Sequence, residues 1–199
     1  MCGIVNKTAF MIDKLKPYGL VHLSYFIIGV LVSILIAKKF QNISIKTLNK
    51  IVFGFGLFLL ISEIYKQLFY TCYIGEGLYQ WWIFPFQLCS IPIYLCLVMP
   101  FIKNKSIYKS ICIFLISYNL LGGFISFLEP SGLIHEYLFL TIHAFLWHMS
   151  LVTLGLIIGF NKNIKFKIED FKTSVILFTI LSFIAFVINL IFWIPSKGH

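Results

Sequence analysis

The sequence predicts an all-α, polytopic transmembrane bundle of six helices with its N-terminus outside. Three observations predict it. Of 199 residues, 60% are hydrophobic and 12% charged, where a soluble domain has about half and about 25%. The mean hydropathy is +0.95. The apolar residues gather into stretches near 18–37, 50–70, 84–102, 107–128, 137–160 and 173–194, each close to the ~20 residues a bilayer crossing needs. No length is left over for a soluble domain, so residues 1–199 read as a single transmembrane bundle.

Lysine positions set the expected orientation. All sixteen basic residues are lysines. Lys38, Lys39, Lys46 and Lys50 separate the first two stretches, Lys103, Lys105 and Lys109 the third and fourth, and Lys162, Lys165, Lys167 and Lys172 the last two. Segments 71–83 and 129–136 have none. Basic loops stay in the cytoplasm, which puts both termini and the two lysine-free loops outside, although the N-terminal segment itself carries Lys7, Lys14 and Lys16. The net charge of +9 is thereby accounted for by topology and anionic headgroups, and no nucleic-acid partner is expected. The first stretch begins too late and runs too long for a cleaved signal peptide. Cys2, Cys72, Cys89, Cys96 and Cys112 contain no CxxC pair and are odd in number, which argues against a disulfide framework.

Taken in order, the helices carry few polar residues. The first has His22, the second Glu63 beyond its midpoint, and the third Gln87, Cys89 and Ser90 near its outer end. The fourth has Asn119, the fifth His143 and then His148, and the sixth Asn189 in its last third. At about 1.5 Å per residue these groups lie in the outer half of the bilayer or near its midplane. An ionisable group in a span is a functional candidate that needs a named partner. For Glu63 the plain partner is Lys66, one turn away. Gly155 with Gly159, and Gly122 with Ser126, have the small-xxx-small spacing of close helix packing, and Gly54 and Gly56 read the same way. Cys89 and Cys96 fall on one face of an expected third helix.

Cys89 and His143 lie at similar depth, where an imidazole can take the thiol proton and the thiolate can attack a carbonyl to form a thioester. His148 lies about 7 Å deeper. Five residues from His143 and so about 140° around the helix, it cannot point squarely at the same place. Gln87 and Asn119 are candidate donors to a developing oxyanion. Cys89, Glu63, His22, His143 and His148 are chemically acceptable metal ligands, but no HxxxH or CxxC spacing supports a metal site. No metal and no cofactor is expected.

Pro85-Phe86-Gln87-Leu88-Cys89-Ser90, then Tyr118-Asn119-Leu120-Leu121-Gly122-Gly123 with Pro130, then Trp147-His148 together resemble the YwaF family of bacterial integral membrane proteins. That family looks distantly related to a eukaryotic multi-span acyltransferase that uses cysteine and histidine to move acyl chains between phospholipids. By position, the resemblance implies Cys89 as nucleophile and His148 as its histidine, where depth favours His143. It also implies a seventh helix after the sixth, so this sequence is either a six-helix bundle or a truncated form of a seven-helix one. The expected protein is thus a multi-pass cell-membrane protein with lipid partners and an acyl or other small-molecule substrate. Cys89, His148 and His143 are its catalytic candidates, and Gln87, Asn119, Glu63 and Ser90 its binding candidates. The alternatives are a non-catalytic solute-binding or transport subunit, and a structural membrane protein. Neither the substrate nor the oligomeric state is readable from the sequence.

Overall fold

The computed structural model describes residues 2–194 and Ser196; Met1, Pro195 and residues 197–199 lie outside them. Its helices are α1 (Leu20–Phe40), α2 (Ile45–Ile74), α3 (Ile91–Phe101), α4 (Lys105–Leu128), α5 (Leu138–Phe160) and α6 (Ile168–Phe192). All but α3 are long and apolar enough to cross a bilayer. Local signals start them. Ser44 Oγ accepts from Thr47 N–H at 3.2 Å to cap α2, and Asn104 Oδ1 accepts from Ser106 and Ile107 N–H to cap α4, satisfying donors that no helix turn can reach. Asp170 in the first turn of α6 accepts from Lys167 N–H and pairs with Lys109 Nζ at 3.0 Å, which ties α4 to α6 at the lysine-rich end.

Helix α5 is the axis of the bundle, packing on α1, α2 and α4, while α3 leans on α2 and α6 on α4. More than half of the apolar window of α5 is buried and none of that of α6. Lipid removes most of the hydrophobic drive between helices, so close approach of small residues has to supply the packing. A methyl on Gly155 would sit 2.9 Å from both Leu115 O and Leu120 Cβ. One on Gly123 would sit 2.8 Å from Val152 Cγ2 and 3.0 Å from His148 O. The expected small-residue step in α4 therefore falls on Gly123, since Gly122 has open space beside it. Gly159 and Gly54 are looser than expected, whereas a methyl on Gly56 would sit 3.0 Å from Cys96 Cβ. Gly155→Ala should lower stability by about 1–3 kcal/mol, the usual cost of overpacking, read as a drop in the unfolding temperature in detergent.

Two expectations are corrected. The third span does not begin at residue 84. Proline bars helix at its predecessor, and Phe84 before Pro85 is extended at φ −50°, ψ 131°. Tight turns follow, and helix starts only at Ile91, with Pro92 in its first turn, where a missing N–H costs nothing. What remains, α3, is too short to span alone. Cys89 thus lies in the turns before the helix and shares no helical face with Cys96. Second, Cys2 and Cys72 form a disulfide, with Cα atoms 5.3 Å apart. The N-terminal turn Cys2–Val5 lies against the end of α2, a contact across 70 residues that no local spacing announces.

The N-terminal segment lies at the lysine-poor end. Ile12 N–H donates to Glu136 O, and Leu138 N–H to Phe10 O, both at 2.9 Å, so residues 10–12 bridge to the α4–α5 loop. Lys14 pairs with Glu136 at 3.0 Å, which gives one of the discordant N-terminal lysines a local anionic partner. A disulfide persists in oxidising surroundings, and its place at this end agrees with the orientation that lysine counting suggested.

Candidate functional site

The late start of α3 leaves a gap at the lysine-poor end of the bundle. A cavity of about 410 Å³ fills it, walled by α5, the end of α2, residues 82–89 and the loop 131–135. From α5 come Leu140, His143, Ala144, Trp147 and His148, spaced as one helical stripe. The two histidines form its edges, with Ala144 and Trp147 between them. The expectation that they cannot face one place is therefore corrected: the space is broad enough to take in the whole arc. Helix α2 contributes Lys66 and Tyr70, one turn apart, and the turns before α3 contribute Trp82, Gln87 and Cys89.

Cys89 is half-buried and held by its backbone. Trp147 Nε1–H donates to Cys89 O at 3.2 Å, so the residue beside His148 anchors the thiol-bearing turn to α5. The thiol makes a weak contact of 3.9 Å with Gln87 Oε1, and Gln87 Nε2–H donates to Trp82 O at 3.1 Å. Among the described residues, no hydrogen bond joins the sulfur to either histidine. His148 Nδ1 lies 2.8 Å from Ala144 O. A carbonyl only accepts, so Nδ1 carries a proton, and in the neutral form of the ring Nε2 is the bare, basic nitrogen. His143 packs its ring 5.4 Å from that of Trp147, and its Nε2 is buried with no partner among the described residues.

Glu63, Asn119 and Ser90 do not line the cavity. Glu63 Oε1 pairs with Lys66 Nζ at 2.9 Å and accepts from Gln67 Nε2–H at 2.6 Å. The same Gln67 amide reaches Ile83 O at 2.7 Å, so Glu63 stands one layer back, holding Lys66 and the approach to residue 84. Asn119 donates to Leu115 O and Leu151 O and fastens α4 to α5 at a wide turn, Leu115–Asn119. Ser90 is buried with its hydroxyl unpaired among the described residues. His22, weighed as a metal ligand, lies apart in an aromatic nest of Tyr18, Phe127 and Phe145.

Three lining residues went unread in the sequence. In the sequence Lys66 is only a partner for Glu63, yet its ammonium lies 5.8 Å from the centre of the Trp147 ring and the residue lines the cavity. Trp147 was visible only as a neighbour of His148. His135 lies in a loop with no periodicity, where Thr141 Oγ1 accepts from its N–H and donates to its carbonyl. Burial holds the His135 imidazole below its ordinary value. The unfolded chain takes up that proton near pH 6.5 and the folded one only at lower pH, so stability falls as pH drops through about 6.5. His135→Asn should flatten this loss, measured as unfolding temperature between about pH 7.5 and pH 5.5.

No curated protein and no solved structure matches the chain. The profile of the TMEM164 family does, over residues 17–194, which takes in every helix from α1 to α6 and the whole cavity. With five helices able to cross a bilayer, this is a multi-pass membrane protein, and it belongs to the TMEM164 family.

Proposed function

We propose that the protein is a lipid acyltransferase that works through a thioester on Cys89, with His148 as its base. One observation carries the reading: Cys89 and a histidine whose tautomer leaves Nε2 bare wall the same cavity. In the proposed reaction His148 Nε2 takes the thiol proton, and the thiolate attacks the ester carbonyl of a phospholipid acyl chain. The tetrahedral intermediate collapses with cleavage of the ester C–O bond. The lysolipid oxygen leaves with the proton from His148, and the acyl group stays on sulfur. An acceptor hydroxyl, deprotonated by the same nitrogen, then attacks the thioester, forming a new ester and restoring the thiol.

Lys66 and Trp147 complete the assignment. Among the described residues Lys66 is the one lysine on the cavity wall, its ammonium placed to stabilise negative charge on a thiolate or oxyanion. Trp147 is a positioning residue that sets the Cys89 backbone. The resting contact of Sγ with Gln87 rather than with imidazole fits a pair that closes when substrate enters, since catalytic hydrogen bonds often tighten only in the complex. The likeness to YwaF proteins and to a cysteine–histidine acyltransferase supports the reading from the motif side, and His148 is where that motif and the tautomer agree. The test is incubation with a phospholipid carrying an isotope-labelled acyl chain, followed by intact-mass and peptide analysis. A hydroxylamine-labile acyl adduct on Cys89 is expected. Lipid turnover without any adduct, or ligand binding with neither, would overturn the thioester.

A further inference from the structure

A second cavity, of about 570 Å³, lies beside the first, between residues 81–88 and the last turns of α6. Its walls join aromatic and aliphatic faces with three polar side chains, Gln87, Asn189 and Ser196. Trp81 stacks on Phe192 with ring centres 4.5 Å apart, and Phe84 meets the same ring at 5.4 Å, so these contacts join α6 to the turns that carry Cys89. Since α6 has no buried residue in its apolar window, this space fronts the hydrocarbon of the membrane and not the protein core. The two cavities share Trp82 and Gln87. Gln87 is the partition itself: its Nε2 is on Trp82 O while its Oε1 meets the Cys89 sulfur.

Asn189 lies on the wall of this second space. Its side-chain amide makes no hydrogen bond among the described residues and is exposed on a helix that otherwise faces lipid. An amide left unpaired in a lipid environment is costly, and beside Trp81, Trp82 and Trp193, residues of the type enriched where a bilayer meets water, it is matched by a polar group that lipid itself brings there. Ester carbonyls of glycerolipids sit at that level and only accept, which is what an amide N–H requires. The volume lies within the range of about 300–1,000 Å³ typical of ligand sites. A water-soluble solute would leave the Trp81, Phe84 and Phe192 faces unmatched.

We infer that this second cavity is the portal for one acyl chain of a membrane glycerolipid, seated between residues 81–88 and α6 with its ester carbonyl accepting from the Asn189 amide. Its purpose rests on the acyl-transfer reading, because Gln87 then divides the waiting ester from Cys89, but its test does not. The full chain is placed in phosphatidylcholine nanodiscs doped with phosphatidylcholine bearing a diazirine midway along one acyl chain. After illumination, adducts are mapped by mass spectrometry.

Labelling of Leu88, Ala185 and Ile188 is expected to exceed that of Leu31 and Leu35, although the latter two are the more exposed, on α1. Asn189→Leu should reduce the excess about fivefold, the effect of one lost hydrogen bond. Even labelling of α6 and α1, or an excess unchanged by Asn189→Leu, overturns the assignment. So does labelling by diazirine palmitate alone, which would make the ligand a free fatty acid. Repeating the map on Cys89→Ala separates the two readings, because the portal retains its labelling there whether or not Cys89 ever carries an acyl group.

Discussion

Cys89→Ser is expected to abolish the acyl adduct and to lower lipid transfer by about 10⁴-fold or more, as loss of a covalent nucleophile does. Serine nearly keeps the volume, and the contact it gives up, 3.9 Å from sulfur to Gln87 Oε1, is a weak one. The backbone bond from Trp147 Nε1 to residue 89 is untouched by the change. Stability should consequently stay within about 0.5 kcal/mol, as at other half-buried sites away from special features. What changes is chemistry: a thiol is a few per cent ionised near neutral pH and intrinsically nucleophilic, whereas a hydroxyl needs far stronger activation. The measurement is transfer of a labelled acyl chain between phospholipids in vesicles, with the unfolding temperature recorded on the same preparation. Full transfer by the serine protein removes the Cys89 thiol from the chemistry.

The sequence carried the helices but not the shape that makes the cavity. Hydropathy sums residues 84–90 with the apolar run that follows, because Phe84, Phe86 and Leu88 count like any other spanning residues. Backbone chemistry decides otherwise: Pro85 keeps Phe84 extended and Pro92 opens α3. The turns between them shorten α3 and present Cys89 sideways, and the gap they leave is the cavity. Depth alone brought Cys89 level with His143, and the motif pointed to His148. Both face the same space because Ala144 and Trp147 set them at the two edges of one stripe. Lys66 and His135 were out of reach of such reasoning. A lysine beside Glu63 looks self-satisfied in one dimension, and only the fold turns its ammonium over the Trp147 ring. Asn119, read as an oxyanion donor, has its amide committed to two carbonyls across α4 and α5. The Cys2–Cys72 pair is long-range, and so invisible to any rule based on spacing.

His148→Asn is expected to lower transfer by about 10²–10⁴-fold, the usual contribution of a positioned general base, while leaving the fold intact. The choice of asparagine follows from the hydrogen bond. An asparagine amide nitrogen superposes on histidine Nδ1, so its N–H can still donate to Ala144 O as the imidazole does at 2.8 Å. Only the far nitrogen, the bare Nε2, is lost. A structural histidine would tolerate this exchange with no change in turnover, whereas a base would not. The matching change His143→Asn removes a ring packed on Trp147 and an unpaired buried nitrogen. Its effect should be smaller on turnover and larger on stability, because the aromatic contact is lost. Measuring both variants for transfer rate and for unfolding temperature separates the two histidines along independent axes. If His143→Asn suffers the greater kinetic loss, depth rather than motif names the base, and proton transfer moves to the opposite edge of the α5 stripe. Formation of the Cys89 adduct by His148→Asn at the unaltered rate would show that the thiol reacts without it.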